Sequence, residues 1–431
     1  MPRSDLLRRP WRLLCSFAVA ALAAACSDEP EPLPRFDLIL EGGTVVDGSG
    51  APGRVADIGI VDRHISHVGD LALAEADERL DVTGGTVVPG FIDMRSSAAL
   101  DADDGRDARH LLHQGITTAV LGTDGLGRHD VARQLEDWAA AGIGVNALAF
   151  AGHARIRDAV LGDEDRAPTP AEVDSMRTLM RRAMEEGALG LSTDLFRPPG
   201  SRAALDEVVE LALAAGEWPG AIYDARHGAP DDALEGVEFE ATVEQAIRIG
   251  EESGLRVIFS HFEPWGRAET GIRTIEAARL RGVEVAAAWA GYGPRPGEGL
   301  PPDDDELVAL PWIMTATDGD GHGAFPRKMR LFALDGAEVS VPFAVRSMSG
   351  LAADFLRLPD RGYIRPGMWA DIAVLDLDRY RSTATNDDPR EYATGVNHLL
   401  VNGAFAIRDG DYLDGTLGMP LRRDGSPVSR D

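Results

Sequence analysis

VNALAFAGHARIRDAVLGDEDRAPTPAEVDSMRTLMRRAMEEGALGLS, residues 145–192, sets two short apolar runs, Val145–Phe150 and Leu189–Ser192, on either side of a helical one. The spacing predicts that helix over Thr169–Gly187. Thr169-Pro170 opens it with Glu172 in the first turn, and Val173, Met176, Leu179, Met180 and Ala183 fall on one face. A strand, a helical crossover and a second strand make a βα unit, whose strands run parallel because the helix returns the chain to the same end of the sheet.

Outward from this unit the alternation continues. Further strands are predicted at Thr117–Leu121, Ala221–Tyr223, Arg256–Ser260, Val283–Ala287 and Ile313–Thr317, and the run Val88–Met94 brings the number to eight. The expected fold class is therefore α/β. The two chain ends have another texture: FDLILEGGTVVDGSG, ADIGIVDRHISHVG and GGTVVPG before Val88, then YIRPGMWADIAVLDLD and HLLVNGAFAIRDGDYLDG after Gly362. Short β-branched runs broken by Gly and Asp read as strands of a small sheet, which both ends are expected to build together.

A chain of 431 residues has room for one large barrel and a small second domain, and 44% hydrophobic content excludes a disordered chain. The formal charge of −28, with Lys328 as the one lysine, argues against nucleic acid, which is bound by clustered Lys and Arg. Both cysteines, Cys15 and Cys26, precede the globular region, so metal ligands must come from His, Asp and Glu. Arg3, Arg8, Arg9 and Arg12 followed by the apolar run Leu13–Ala25 read as a signal peptide, too short to span a bilayer. LAAAC resembles a bacterial lipobox, making Cys26 the expected lipid attachment point of an exported, membrane-anchored protein. The expected organisation is a signal peptide over 1–25, an acidic, proline-bearing tether over 26–35, β-sandwich parts over 36–87 and 359–431, and the barrel over 88–358.

Ten segments in order carry a resemblance. They are FDLILEGGTVVDGSGAP, VVPGFIDMRS, HQGITTAVLGTDG, GVNALAFAGHARIRDAVLG, GALGLSTDLFRPPG, VIFSHF, TATDG, GAFPR, DRGYIRPGMWADIAVLD and LLVNG. From Phe36 to about Arg423 the chain resembles the N-acyl-D-amino-acid deacylases of the amidohydrolase superfamily. The resemblance implies a (β/α)₈ TIM-type barrel with a composite β-sandwich, hydrolysis of linear amide C–N bonds, and a metal site at the carboxyl ends of the barrel strands.

At the implied ligand positions this sequence departs from that pattern. Arg95 and Ser97 stand where a His-x-His pair is expected, and a guanidinium has no lone pair to give a metal. Asp124 replaces a cysteine ligand, a change zinc tolerates. Arg226 takes the place of a histidine; His227 follows one residue late, on the opposite face of a regular strand. His261 and Asp318 keep the pattern, Asp318 as metal ligand and catalytic base. The reduced set Asp124, His261 and Asp318 implies one zinc ion, or none if Arg95 and Arg226 replace the metals' charge.

Other residues are less informative. His153 and Arg157 match a family segment but fit packing beneath the site as well, and His322 and Arg327 follow Asp318 in a compressed segment. The interval from Tyr292 to Trp312 is shorter than the insertion of relatives, which implies a more open mouth. His64, His67, His110, His113 and His129 are expected to be solvated. Three functions stay open: a one-metal hydrolase, a metal-free pocket that binds acidic small molecules through Arg95 and Arg226, and an inert scaffold in which these arginines are sealed in salt bridges.

Overall fold

The structure is a computed structural model and describes residues 33–226, 239–262, 267–290, 304–317, 322–385, 388, 390–413 and 415–428. Strands β1 (Phe36–Val45), β2 (Arg54–Val61), β3 (His64–Gly69), β4 (Ala76–Asp81) and β5 (Thr86–Pro89) come from the beginning of the chain. They share one sheet with β15 (Ile372–Leu375), β16 (Val396–Val401), β17 (Ala404–Arg408) and β18 (Asp411–Tyr412) from its end. The join is antiparallel pairing of β5 with β15, Val88 opposite Ala373. One face of this sheet closes over Leu38, Leu40, Ile58, Ile60, Val87, Ile372 and Val374.

The barrel strands are β6 (Phe91–Asp93), β7 (Ile116–Leu121), β8 (Asn146–Ala149), β9 (Ala151–Gly152), β10 (Gly190–Asp194), β11 (Ile222–Arg226), β12 (Arg256–Phe259), β13 (Val285–Trp289) and β14 (Ile313–Thr315). Among the described residues they form parallel runs β6-β7-β8 and β9-β10-β11-β12-β13-β14. β8 and β9 are one strand interrupted at Phe150, and the Met94 amide donating to the Thr315 carbonyl (3.3 Å) closes the ring. Ile92, Val120, Leu148, Ile222, Ile258, Ala286 and Met314, with Leu189 just before β10, pack together in the interior.

The run Val88–Met94, expected as a single strand, is divided. Val88 belongs to β5 of the terminal sheet, and Gly90 turns the chain into β6. A Cβ on Gly90 would lie 2.2 Å from the Thr117 hydroxyl, so only glycine lets the two strands approach there. The predicted helix is α4 (Pro170–Glu185): Thr169 accepts from the Glu172 amide, Glu172 accepts from the Thr169 amide, and Met176, Met180 and Ala183 are buried. The others that matter below are α1 (Arg109–Leu112), α2 (Val131–Ala141), α3 (His153–Leu161) and α5 (Leu205–Ala215). No helix among the described residues is long and apolar enough to cross a membrane.

Four of the histidines expected in solvent are half-buried and packed on rings instead. His64 lies 4.3 Å from Trp369 and His67 meets Phe36 edge-on at 5.5 Å. His110 stacks on His322 at 4.9 Å and His113 on Tyr392 at 4.8 Å. An imidazole has an apolar body, and partners far away in sequence cover it here.

Candidate functional site

Strand ends β6, β7, β10 and β11 bring four charged side chains together. Arg95 follows β6 by two residues, and Asp124 sits in the turn after β7 with φ 57°, a left-handed conformation that aspartate tolerates better than most residues. Gly122 starts that turn at φ 77°, where a Cβ would meet the Phe150 carbonyl at 2.8 Å. Arg95 Nη2 donates to Asp124 Oδ2 at 2.5 Å and its Nε to Oδ1 at 3.4 Å, so one fork grips both carboxylate oxygens. Arg226, the last residue of β11, approaches the same Oδ2 through Nη1 at 3.4 Å. Its Nε lies 3.7 Å from Asp194 Oδ2, at the end of β10.

The cluster is shielded from water: Arg95, Arg226 and Asp194 are 9%, 8% and 8% exposed. Burial works to raise the Asp124 carboxyl, but Arg95, by charge and hydrogen bond, then Arg226 and His261 outweigh it and hold the group below its ordinary value. Asp194 goes the other way, raised chiefly by burial and opposed by the Phe196 amide, which donates to it at 3.0 Å, and by Arg226. Below them Asp224 is fully buried. Its Oδ2 accepts from the Asp124 amide at 3.4 Å, and burial, helped by the charge of Asp124, pushes its carboxyl up to about 7.

Asp93 anchors the loop that carries Arg95. It accepts from the Thr317 amide (2.9 Å), the Thr317 hydroxyl (2.6 Å) and the Arg95 amide (3.2 Å), which ties the end of β6 to the residue before Asp318. Burial raises its carboxyl against those hydrogen bonds. Ser97 is exposed and lines a cavity beside the cluster; His261 is half-buried, close enough to Asp124 for its charge to favour the ionised carboxylate. Asp318, His227 and Cys26 lie outside the described residues.

Among the described residues no group of three or more His, Cys, Asp or Glu comes together that could hold a metal ion. A zinc site draws on three or four protein ligands, and among the described residues the one carboxylate at an expected ligand position, Asp124, has both oxygens on Arg95. The described residues therefore do not fit a zinc centre.

The sequence reading did not single out Asp93, Asp194 or Asp224. One signal was available for Asp224: it precedes Arg226 by two residues on the same strand, so both point to one face. His153 and Arg157 serve packing. His153 Nε2 lies 2.9 Å from Glu207 Oε1 and Arg157 Nη1 2.5 Å from Oε2, all three buried, a clasp between α3 and α5. Lys328 is buried outside the barrel strands, donates to the Thr315 hydroxyl at 2.8 Å, and is pushed down to about 7 by burial.

The family model for the amidohydrolase family matches residues 312–407. By sequence the chain is 30% identical to the D-aminoacylase of Alcaligenes xylosoxydans xylosoxydans, over 86% of this chain and 94% of that protein. It superposes with a TM-score of 0.81 and 28% identity on a D-aminoacylase structure that concerns the functional role of its binuclear metal centre, one-metal activation and second-metal attenuation; 90% of this chain and 99% of that one are covered. N-acyl-D-glutamate deacylase from Bordetella bronchiseptica, solved with zinc and a phosphonate inhibitor, matches with a TM-score of 0.79 and 26% identity over 90% of this chain and all (100%) of that one.

Proposed function

We propose a function for this chain from one premise: it belongs to the amidohydrolase family, as a D-aminoacylase-like member. The proposed activity is binding of small N-acyl amino acids at the barrel mouth, without a resident metal. The observation that carries it is Asp124 held between Arg95 and Arg226. A metal would have to strip Asp124 from both guanidiniums, which themselves offer no lone pair. Two arginines instead supply fixed positive charge at strand ends where the resemblance implies metal ligands, and such charge suits the carboxylate of an acyl amino acid.

Elemental analysis of the purified protein tests this, together with calorimetric titration of N-acetyl-D-glutamate before and after chelator treatment. The expected result is far less than one equivalent of metal and binding that survives the chelator. One equivalent of zinc with amide hydrolysis lost on chelation would overturn it in favour of a one-metal hydrolase. That second reading draws support from the reach of His261 to Asp124 and from the one-metal activation of the relative. It would use His261, Asp124 and Asp318 as ligands, and zinc would lower the pKa of water from about 15.7 towards about 7, with Asp318 taking the proton. An inert scaffold predicts no titration heat at all.

The same reading extends to location. The arginines before Leu13, the apolar run and the LAAAC segment support export and lipid attachment at Cys26. Cys26→Ser is expected to move the protein from the membrane fraction to the soluble fraction of cells; unchanged fractionation and processing would overturn the anchor.

A further inference from the structure

The start of β1 lies far along the fold from the barrel mouth, and two other segments meet it there. The Phe36 amide donates to the Glu75 carbonyl at 2.9 Å, which brings up the turn that leads into β4. The Asp62 amide donates to the Asp37 side chain at 2.8 Å, which brings up the turn between β2 and β3. Phe36, Ile39 and Leu71 form a small buried core of their own at this end.

Around that core three side chains face water without a protein partner. Leu73 is 100% exposed, although hydrogen bonds fix its turn: the Leu71 amide donates to Asp57 (2.9 Å), the Ala72 amide to Asp70 (3.1 Å) and the Ala74 amide to the Leu71 carbonyl (3.0 Å). Leu33, three residues ahead of β1, is 46% exposed. Arg63 is exposed in the turn between β2 and β3 and makes no side-chain hydrogen bond or ion pair with a described residue, although the chain is rich in carboxylates. Single exposed leucines are ordinary on a protein surface. These two, however, flank the point where the chain enters its folded part.

We infer that this end of the terminal sheet rests on a bilayer surface, with Leu33 and Leu73 in the headgroup region and Arg63 on a lipid phosphate. The inference rests on the lipid anchor at Cys26 proposed above. Six residues lie between Cys26 and Leu33. Even fully extended, such a stretch keeps the start of β1 within about 25 Å of the anchored cysteine. Two leucines bind a membrane weakly by themselves, but a tether makes the contact intramolecular and raises the effective concentration of lipid they meet. Arg35 is occupied by Glu75 and Asp77, and with Asp37 and Asp62 the acids at this end outnumber Arg35 and Arg63. The contact is therefore apolar, suited to zwitterionic rather than anionic lipid.

Thiol labelling of the lipidated full chain tests the contact. Cys15 leaves with the signal peptide and Cys26 is blocked by its lipid, so Leu73→Cys supplies the one free thiol. The chain is placed in vesicles of phosphatidylcholine and phosphatidylethanolamine, with a nitrobenzoxadiazole dye on that thiol. The reference is the same dye on Leu280→Cys, a 90% exposed position at the end of the barrel helix Ala268–Leu280. The dye at position 73 is expected to be quenched by a nitroxide carried on lipid headgroups and shielded from aqueous iodide about threefold or more relative to the reference. Adding Leu33→Asp should reduce the shielding, and adding phosphatidylglycerol to the vesicles should not increase it. Equal quenching at both positions in a lipidated chain would overturn the docking and leave the anchor standing. Dye uptake by the wild-type chain would show a free Cys26 and overturn the anchor and the docking together.

Discussion

Two buried charge networks lie at opposite ends of the barrel, and they are built differently. At the amino-terminal end Asp371 accepts from Arg361, from the Asn146 side chain (3.2 Å) and from the Asn402 amide (2.6 Å), while Asn402 in turn donates to Asn146 (2.8 Å). One anion meets one cation, neutral amides take its remaining lone pairs, and the result locks β8 to the terminal sheet. At the carboxyl end Asp124 is contested by two arginines, one of them only at 3.4 Å, above a buried carboxyl raised to about 7. The first network is structural, since it joins a barrel strand to the terminal sheet. In the second, two guanidiniums converge on one carboxylate at the wall of a cavity. The contrast agrees with the division of barrels into a stability face and a functional face.

The largest effect should come from breaking the first network. Asp371→Ala leaves Arg361, 2% exposed, buried without its carboxylate and should cost about 3–5 kcal/mol in denaturant unfolding. Arg95→Met should cost less, about 2 kcal/mol, because Arg226 remains on Asp124, and it should also weaken N-acetyl-D-glutamate binding. A loss from Arg95→Met equal to that from Asp371→Ala, with binding unaffected, would erase the distinction between the two ends.

The smallest effect is a change of slope. The Asp224 carboxyl is raised from 3.8 to about 7 in the folded chain. Below about pH 4 both states hold the proton and its contribution is fully present. Between about pH 4 and about pH 7 the unfolded chain has released the proton while the folded chain keeps it, so this group lowers stability as pH rises. Asp224→Asn should remove that decline. Unfolding midpoints measured across this range check it, and parallel curves for wild type and variant would show that Asp224 does not hold its proton.

Much of the architecture was legible because it depends on local pattern. Periodicity and the Thr169 cap located α4, and alternation located seven of the eight barrel strands to within a few residues, as the parallel registers from β7 to β14 demonstrate. The eighth misled, since Val87-Val88 and Phe91-Ile92 look alike as apolar pairs. Only pairing with Ala373, near the other end of the chain, assigns Val88 to a different sheet. The histidines near helix ends failed for the same reason: His110 and His113 are covered by His322 and Tyr392, rings that no local window contains.

At the site the division is equally physical. The sequence by itself determined which chemical groups stand at the strand ends, hence that Arg95 and Arg226 cannot ligate a metal, because that follows from the guanidinium alone. Tertiary structure decided the rest: that both arginines converge on Asp124, that Asp194 and Asp224 join them, and that Asp93 ties their loop to Thr317. Distance and burial set the strength and protonation of charged groups, and both arise only when strands separated along the chain are brought side by side.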